Sequence, residues 1–204
     1  AWMIRYTSGY LCAPMTEERA NLLELPLMTP KNQDHYKTQY TVTVDSAEHV
    51  TTGISAEDRA RTLRVLADDD STLGDLVRPG HVLPLRANAG GVVVRAGHTE
   101  AAVDLLTLAG LTPVGVIAEM VNPDGTMMRL PELQALGASE GLPVITIEQI
   151  IAHIENHKLD LHVEAENRVS FAAEAQVPTS HGPMRMRGYY DHKTTADHVA
   201  IVSG

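Results

Sequence analysis

Apolar and polar positions alternate between helical and extended periods along most of the chain. Thr16-Glu17-Glu18-Arg19 supplies a capping hydroxyl and two early acids ahead of Leu22, Leu23 and Leu25, and Pro26 stops the run, so the spacing predicts a short helix. Tyr40-Thr41-Val42-Thr43-Val44-Asp45 alternates β-formers and predicts a strand with one face buried. Ser55-Ala56-Glu57-Asp58 resembles a capping box, which places Leu63 and Leu66 in the core of the helix it starts. Val82 to Arg86 and Val92 to Val94 are short β-like runs around Asn88-Ala89-Gly90-Gly91, the pattern of a hairpin. Ala101 to Ala109 has helical spacing with Gly110 at its end. Gly115 to Val121 is an apolar strand carrying one acid, Glu119, and Asn122-Pro123-Asp124-Gly125 turns the chain after it. A helix from Pro131 to Ser139, a strand from Pro143 to Ile147 and a helix from Glu148 to Asn156 complete the series.

Helices interleaved with strands predict an α+β (mixed α/β) fold, a layered mixed β-sheet with helices packed on its faces. That domain is expected over residues 1–157. The charged stretch 158–168 reads as a linker, and a short β-rich segment begins at 169 and runs to 204.

Composition narrows the function. The 204 residues are 44% apolar and 21% charged, enough for one sizeable core, and the net charge of -10 argues against a nucleic-acid partner while leaving room for a small anion in a local cationic pocket. Cys12 is the only cysteine, which excludes an intrachain disulfide and a cysteine-based Zn2+ cluster within these residues. No apolar run approaches the ~20 residues that span a bilayer, so no membrane association and a cytoplasmic location are expected. The opening Ala1-Trp2-Met3-Ile4 reads as interior sequence, with further residues expected ahead of it.

An Arg-x-Gly-His tetrad occurs twice, as Arg78-Pro79-Gly80-His81 and Arg95-Ala96-Gly97-His98. Glycine permits close backbone approach, Arg offers a planar fork to phosphate, and His offers a metal ligand or proton carrier. His98-Thr99 also opens a helix, where free amides favour an anion. Taken singly, each tetrad reads more simply as a turn whose histidine sits in ordinary hydrogen bonds. Glu119 is either paired, exposed at the strand end, or set up for proton transfer. Asp58 and Arg59 read as a capping pair, and Cys12 as a small buried residue.

The ordered set Arg5 to Cys12, Tyr40 to Asp45, Thr51-Thr52-Gly53-Ile54-Ser55-Ala56-Glu57-Asp58-Arg59, Arg78 to Arg86, Arg95 to Ala101 and Leu108 to Pro113 resembles the 3,4-dihydroxy-2-butanone 4-phosphate synthases. The resemblance implies a lyase of riboflavin biosynthesis that converts D-ribulose 5-phosphate into formate and 3,4-dihydroxy-2-butanone 4-phosphate. It implies metal-assisted enolisation, dehydration and rearrangement with two Mg2+ or Mn2+ ions, and a homodimer. By motif, His98 would be a metal ligand, Arg95, Ala96, Gly97, His98, Thr99 and Glu119 would contact the sugar phosphate, and His81 and Glu119 would be catalytic. The family's acidic loop, with the remaining metal ligands, has no match in Ala1 to Ile4, which leaves turnover by these 204 residues open. The alternative is a non-catalytic or repurposed sugar-phosphate-binding homologue that acts as a subunit or scaffold. From Val169, Phe171 to Thr179, Gly182, Gly188-Tyr189 and Asp197 to Val202 resemble the opening strands of a GTP cyclohydrolase II, as in bifunctional riboflavin enzymes, and stop short of the cysteines that would bind its zinc.

Overall fold

The structure, a computed structural model, describes residues 1–162, 169–180, 182–191 and 196–202. It falls into two units, Ala1–Leu161 and His162–Gly204. Residues 163–168 of the expected linker lie outside the described residues.

The first unit is the layered mixed sheet with flanking helices expected from the sequence. After helix α1 (Trp2–Tyr6) come strand β1 (Cys12–Met15), helix α2 (Glu17–Leu22), strands β2 (Gln39–Tyr40) and β3 (Val44–Ser46), and helix α3 (Ala56–Ala67). The long strand β4 (Leu76–Arg86) lies at the centre of the sheet, parallel to β1 on one edge and antiparallel to β2 and β3 on the other. Helices α4 (Gly91–Val94), α5 (His98–Leu108), α6 (Leu130–Glu140) and α7 (Ile147–His157) follow. Both predicted N-caps form, with the Thr16 and Ser55 hydroxyls accepting from the amides of Arg19 and Asp58.

Strand alternation sends neighbouring residues to opposite faces. Ala13, Met15, Val44 and Val82 bury against Ala20, Leu23 and Leu25 and against Leu66 of α3, with Leu63 at the margin. Cys12, Leu83 and Leu85 pack on the other face with Tyr40 and Ile117.

Four of the expected extended segments differ in the structure. The single strand Tyr40–Asp45 is split into β2 and β3 at residues 41–43, where Thr41 bridges to Leu27 and the Val42 amide donates to the Pro26 carbonyl (3.0 Å); within β3 the ladder with β4 then jumps, Val44 pairing with Val82 but Asp45 with Val77, so residues 78–81 bulge out. Val92–Val94 is the helix α4 rather than half of a hairpin. The buried carboxylates of α5 capture the turn, Glu100 accepting from the Asn88 amide (2.8 Å) and Asp104 from the Val92 amide (2.9 Å). Gly115–Val121 is extended beside β1 but makes only isolated bridges to it, at Cys12↔Ile117 and Met15↔Val114, since Pro14 between them has no amide proton to donate. Pro143–Ile147 forms no strand. Thr146 and Gln149 close a reciprocal capping box that starts α7, and the Val144 side chain sits over Gly137 of α6.

The second unit is a three-stranded antiparallel sheet of β5 (Val169–Thr179), β6 (Gly182–Asp191) and β7 (Ala196–Val202). Arg187 of β6 pairs with Glu174 of β5 at 2.6 Å. Among the described residues no helix is long and apolar enough to cross a membrane.

Helix α3 is tied to β3 by Thr62, whose fully buried hydroxyl accepts from the Ser46 amide (2.9 Å) and donates to the Asp58 carbonyl (3.1 Å). Thr62→Val keeps the shape and strands a buried amide, so it should destabilise the first unit by about 1–3 kcal/mol. An unchanged urea midpoint would refute that assignment.

Candidate functional site

The bulge in β4 builds the site. Gly80 presses so close to the Val44–Asp45 backbone that a Cβ there would run into it, and its amide donates to the Thr43 hydroxyl at 3.1 Å. This turns His81 back onto Asp45. The His81 amide donates to Asp45 Oδ1 at 2.9 Å, and His81 Nδ1 lies 2.7 Å from Asp45 Oδ2. A carboxylate oxygen accepts, so the ring proton belongs on Nδ1 and Nε2 is left as the free acceptor. Asp45 is 6% exposed, while the His81 side chain is 40% exposed. Gly53 closes the pair from above, since a Cβ there would fall 2.6 Å from His81 Nδ1.

His81 opens into a cleft of about 240 Å³ whose polar walls are Tyr10, Thr43 and Arg59, with Leu83 and Ile54 supplying apolar surface. Asp45 behind His81, and Arg59 and Tyr10 in the cleft wall, were not among the candidate residues the motifs offered. The signal for Asp45 was an acid ending an alternating strand. Asp58 and Arg59 are not a capping pair: Asp58 accepts from the Thr51 hydroxyl (2.8 Å), the Thr51 amide (3.2 Å) and the Gly53 amide (3.1 Å), while Arg59 reaches the Gly9 carbonyl at 2.6 Å. The Thr51 hydroxyl is the main reason the Asp58 carboxyl is held below the usual carboxylate range.

Glu119 is exposed and lies outside the cleft walls. Its carbonyl accepts from the Ser8 amide (2.9 Å), and its Oε2 sits 3.4 Å from the Ser8 hydroxyl. Its charge still reaches Cys12 and Tyr10. Burial pushes the Cys12 thiol up to about 11, with the Glu119 charge adding to the shift, and the Tyr10 phenol is raised first by burial, then by Cys12 and Glu119. Cys12 is buried, as its sequence suggested.

The second tetrad folds differently from the first. Arg95 Nη1 pairs with the buried Glu100 Oε2 at 2.5 Å, and its Nη2 donates to the Tyr36 carbonyl (3.1 Å) and the Thr38 hydroxyl (3.3 Å). The guanidinium is therefore a strut between α5 and the loop before β2. Gly97 is small because a Cβ would collide with the Arg95–Glu100 pair. Ala96 and His98 are exposed and Thr99 is buried in the first turn of α5, where no side chain caps the free amides. That end of α5 suits an anion.

His81 and His98 thus sit in separate settings, with His98 outside the walls of the His81 cleft. Hard divalent cations take several oxygen ligands. Among the described residues no group of three or more His, Cys, Asp or Glu side chains converges, so the exposed His98 could give one ligand of a metal site but the described residues do not complete one.

Comparison with known proteins fixes the lineage of this arrangement. The sequence model of the family described as 3,4-dihydroxy-2-butanone 4-phosphate synthase matches residues 1–153. The chain belongs to the 3,4-dihydroxy-2-butanone 4-phosphate synthase family. It is 52% identical over 204 residues to the riboflavin biosynthesis protein RibBA of Salinispora arenicola, matching all of this chain and 47% of that protein. The chain spans about half the length of the curated relatives it matches. Among solved structures, a Candida albicans 3,4-dihydroxy-2-butanone 4-phosphate synthase superposes with a TM-score of 0.70 at 52% identity, over 75% of this chain and 76% of that one. A synthase of the family in complex with two magnesium ions gives 0.75 at 47% identity, over 77% and 78%.

The raised Cys12 thiol gives a pH test. With a value near 11 the thiolate is about one part in a thousand at pH 8, so alkylation should climb roughly tenfold per pH unit toward pH 11. A rate that levels off by pH 9 would contradict the burial seen here.

Proposed function

We propose that the protein converts D-ribulose 5-phosphate into 3,4-dihydroxy-2-butanone 4-phosphate and formate, as a lyase of riboflavin biosynthesis. The observation that carries this reading is a histidine, His81, held by a buried carboxylate at the mouth of a cleft in a chain of this family. Asp45 fixes the tautomer and orientation of His81, leaving Nε2 to take and return a substrate proton. Glu119, whose charge reaches Tyr10 in the cleft wall, is the second proton carrier. The reaction conserves atoms: one carbon leaves as formate, and the water lost on dehydration is recovered in the products.

Residues 95–99 form the phosphate end of the site. The uncapped amides of His98 and Thr99 at the start of α5 hold the phosphate, and Arg95, whose carbonyl takes the Gly97 amide and whose guanidinium is tethered to Glu100, keeps that turn in place. His98 would supply one ligand to a pair of magnesium or manganese ions, with the remaining ligands from the acidic loop that the family resemblance implies. The protein acts in the cytoplasm as a homodimer, and a monomer by sedimentation would count against the second point. Strands β5, β6 and β7 are the opening of a GTP cyclohydrolase II-like domain, a reading supported by whole-chain identity to RibBA.

Incubation with ribulose 5-phosphate and Mg2+ should release formate in step with the four-carbon ketone. His81→Ala should lower turnover by roughly 10²- to 10⁴-fold, the range for losing a positioned general acid or base. His98→Ala should instead raise the Mg2+ concentration needed for half-maximal rate. No formate from native protein, or full activity without His81, would refute the proposal.

A further inference from the structure

Arg59 carries a charge that the fold leaves unanswered. The residue is only 5% exposed, yet of its five N–H donors one bond is seen, from Nη1 to the Gly9 carbonyl. Its Nε is buried with no partner. Arg78 and Arg86 also leave Nε unpaired, but neither lines the cleft, and Arg86 has Glu17 at 3.7 Å. The acid next to Arg59 in sequence, Asp58, is spent on Thr51 and Gly53. Among the described residues no carboxylate pairs with Arg59. A buried cation without a counter-charge is costly, and the usual resolution is a bound anion.

The cleft beside it suits one. Gly9, Tyr10, Leu11, Thr43, Ile54, Arg59, Gly80, His81 and Leu83 bring no carboxylate to its walls, and Asp45 behind His81 is turned away into its pairing. The polar atoms offered are a guanidinium, a phenol, a threonine hydroxyl and an imidazole.

We propose that Arg59 makes the His81 cleft a binding site for a small oxyanion. The guanidinium fork pairs with two anion oxygens, and the Thr43 and Tyr10 hydroxyls complete the shell. This site is distinct from the amides at the start of α5. It rests on the proposed lyase reading only for the identity of its natural occupant: the formate that leaves, if residues 95–99 hold the substrate's single phosphate as proposed, or that phosphate itself if they do not.

The test is direct binding, which needs no turnover. Sodium formate and inorganic phosphate are titrated separately into native protein while the ring signals of His81 and His98 are followed by NMR. A saturable His81 shift with a dissociation constant in the millimolar range is expected, as tight as a ligand of a few heavy atoms allows. Formate selectivity identifies the carboxylate as occupant and phosphate selectivity the phosphate, and either supports the site. Arg59→Gln should abolish the His81 shift, and Arg59→Lys, which keeps the charge and loses the fork, should weaken it about tenfold. If Arg59→Gln fails to fold, Thr43→Val in the same titration should weaken the shift instead. No saturable His81 response in native protein, or an undiminished one in folded Arg59→Gln, would overturn the inference. Formate production from ribulose 5-phosphate plays no part in this readout, so loss of the lyase reading and loss of the anion site are told apart.

Discussion

The site depends on one break in the ladder between β3 and β4. Where Val44 pairs with Val82, the next residue pairs with Val77, and residues 78–81 have no partners across the sheet. Regular pairing would have sent the His81 amide to a carbonyl and its ring out over the sheet. The bulge gives both donors to Asp45, a carboxylate buried almost completely in the middle of β3. Pro79 fits inside the bulge because its missing amide proton costs no ladder bond, and Gly80 fits because only hydrogen can lie that close to the Val44–Asp45 backbone.

Buried carboxylates organise the remainder of the first unit in the same way. Asp58 gathers the Thr51–Gly53 turn, Glu100 gathers Asn88 and Arg95, and Asp104 gathers Val92. Each satisfies backbone amides that an irregular loop would otherwise bury unpaired, at a cost of about 1–3 kcal/mol apiece. Loops fixed from beneath by acids can hold their exposed side chains in place without a regular ladder. The negative composition of the chain is partly this internal scaffolding, which is why a net charge of -10 coexists with a cleft whose walls carry a guanidinium and no carboxylate.

Helix starts were legible in the sequence because caps are local. Thr16 and Ser55 bond amides three residues away, and a pattern of hydroxyl, acid and apolar spacing contains all that is needed. The extended segments were less legible, since Val92 to Val94 and Pro143 to Ile147 have strand-like composition and are decided by Asp104, Glu100 and Gln149. The site divides along the same line. His81, His98 and Glu119 stood out through motif and resemblance, but Asp45 lies 36 residues from its partner and Arg59 lies 50 from Gly9. No spacing rule links such pairs. Arg95 illustrates the converse, a residue whose type suggested a phosphate ligand and whose guanidinium is occupied by Glu100, Tyr36 and Thr38.

The central claim is that Asp45 makes His81 a proton carrier for a sugar phosphate. Steady-state turnover of ribulose 5-phosphate by Asp45→Asn, measured beside native protein as kcat and KM, tests it most directly, since the amide keeps the volume and loses the acceptor that fixes the ring. A fall in kcat of roughly 10²-fold or more with KM little changed is the predicted result. Native kcat in a folded Asp45→Asn protein would contradict it.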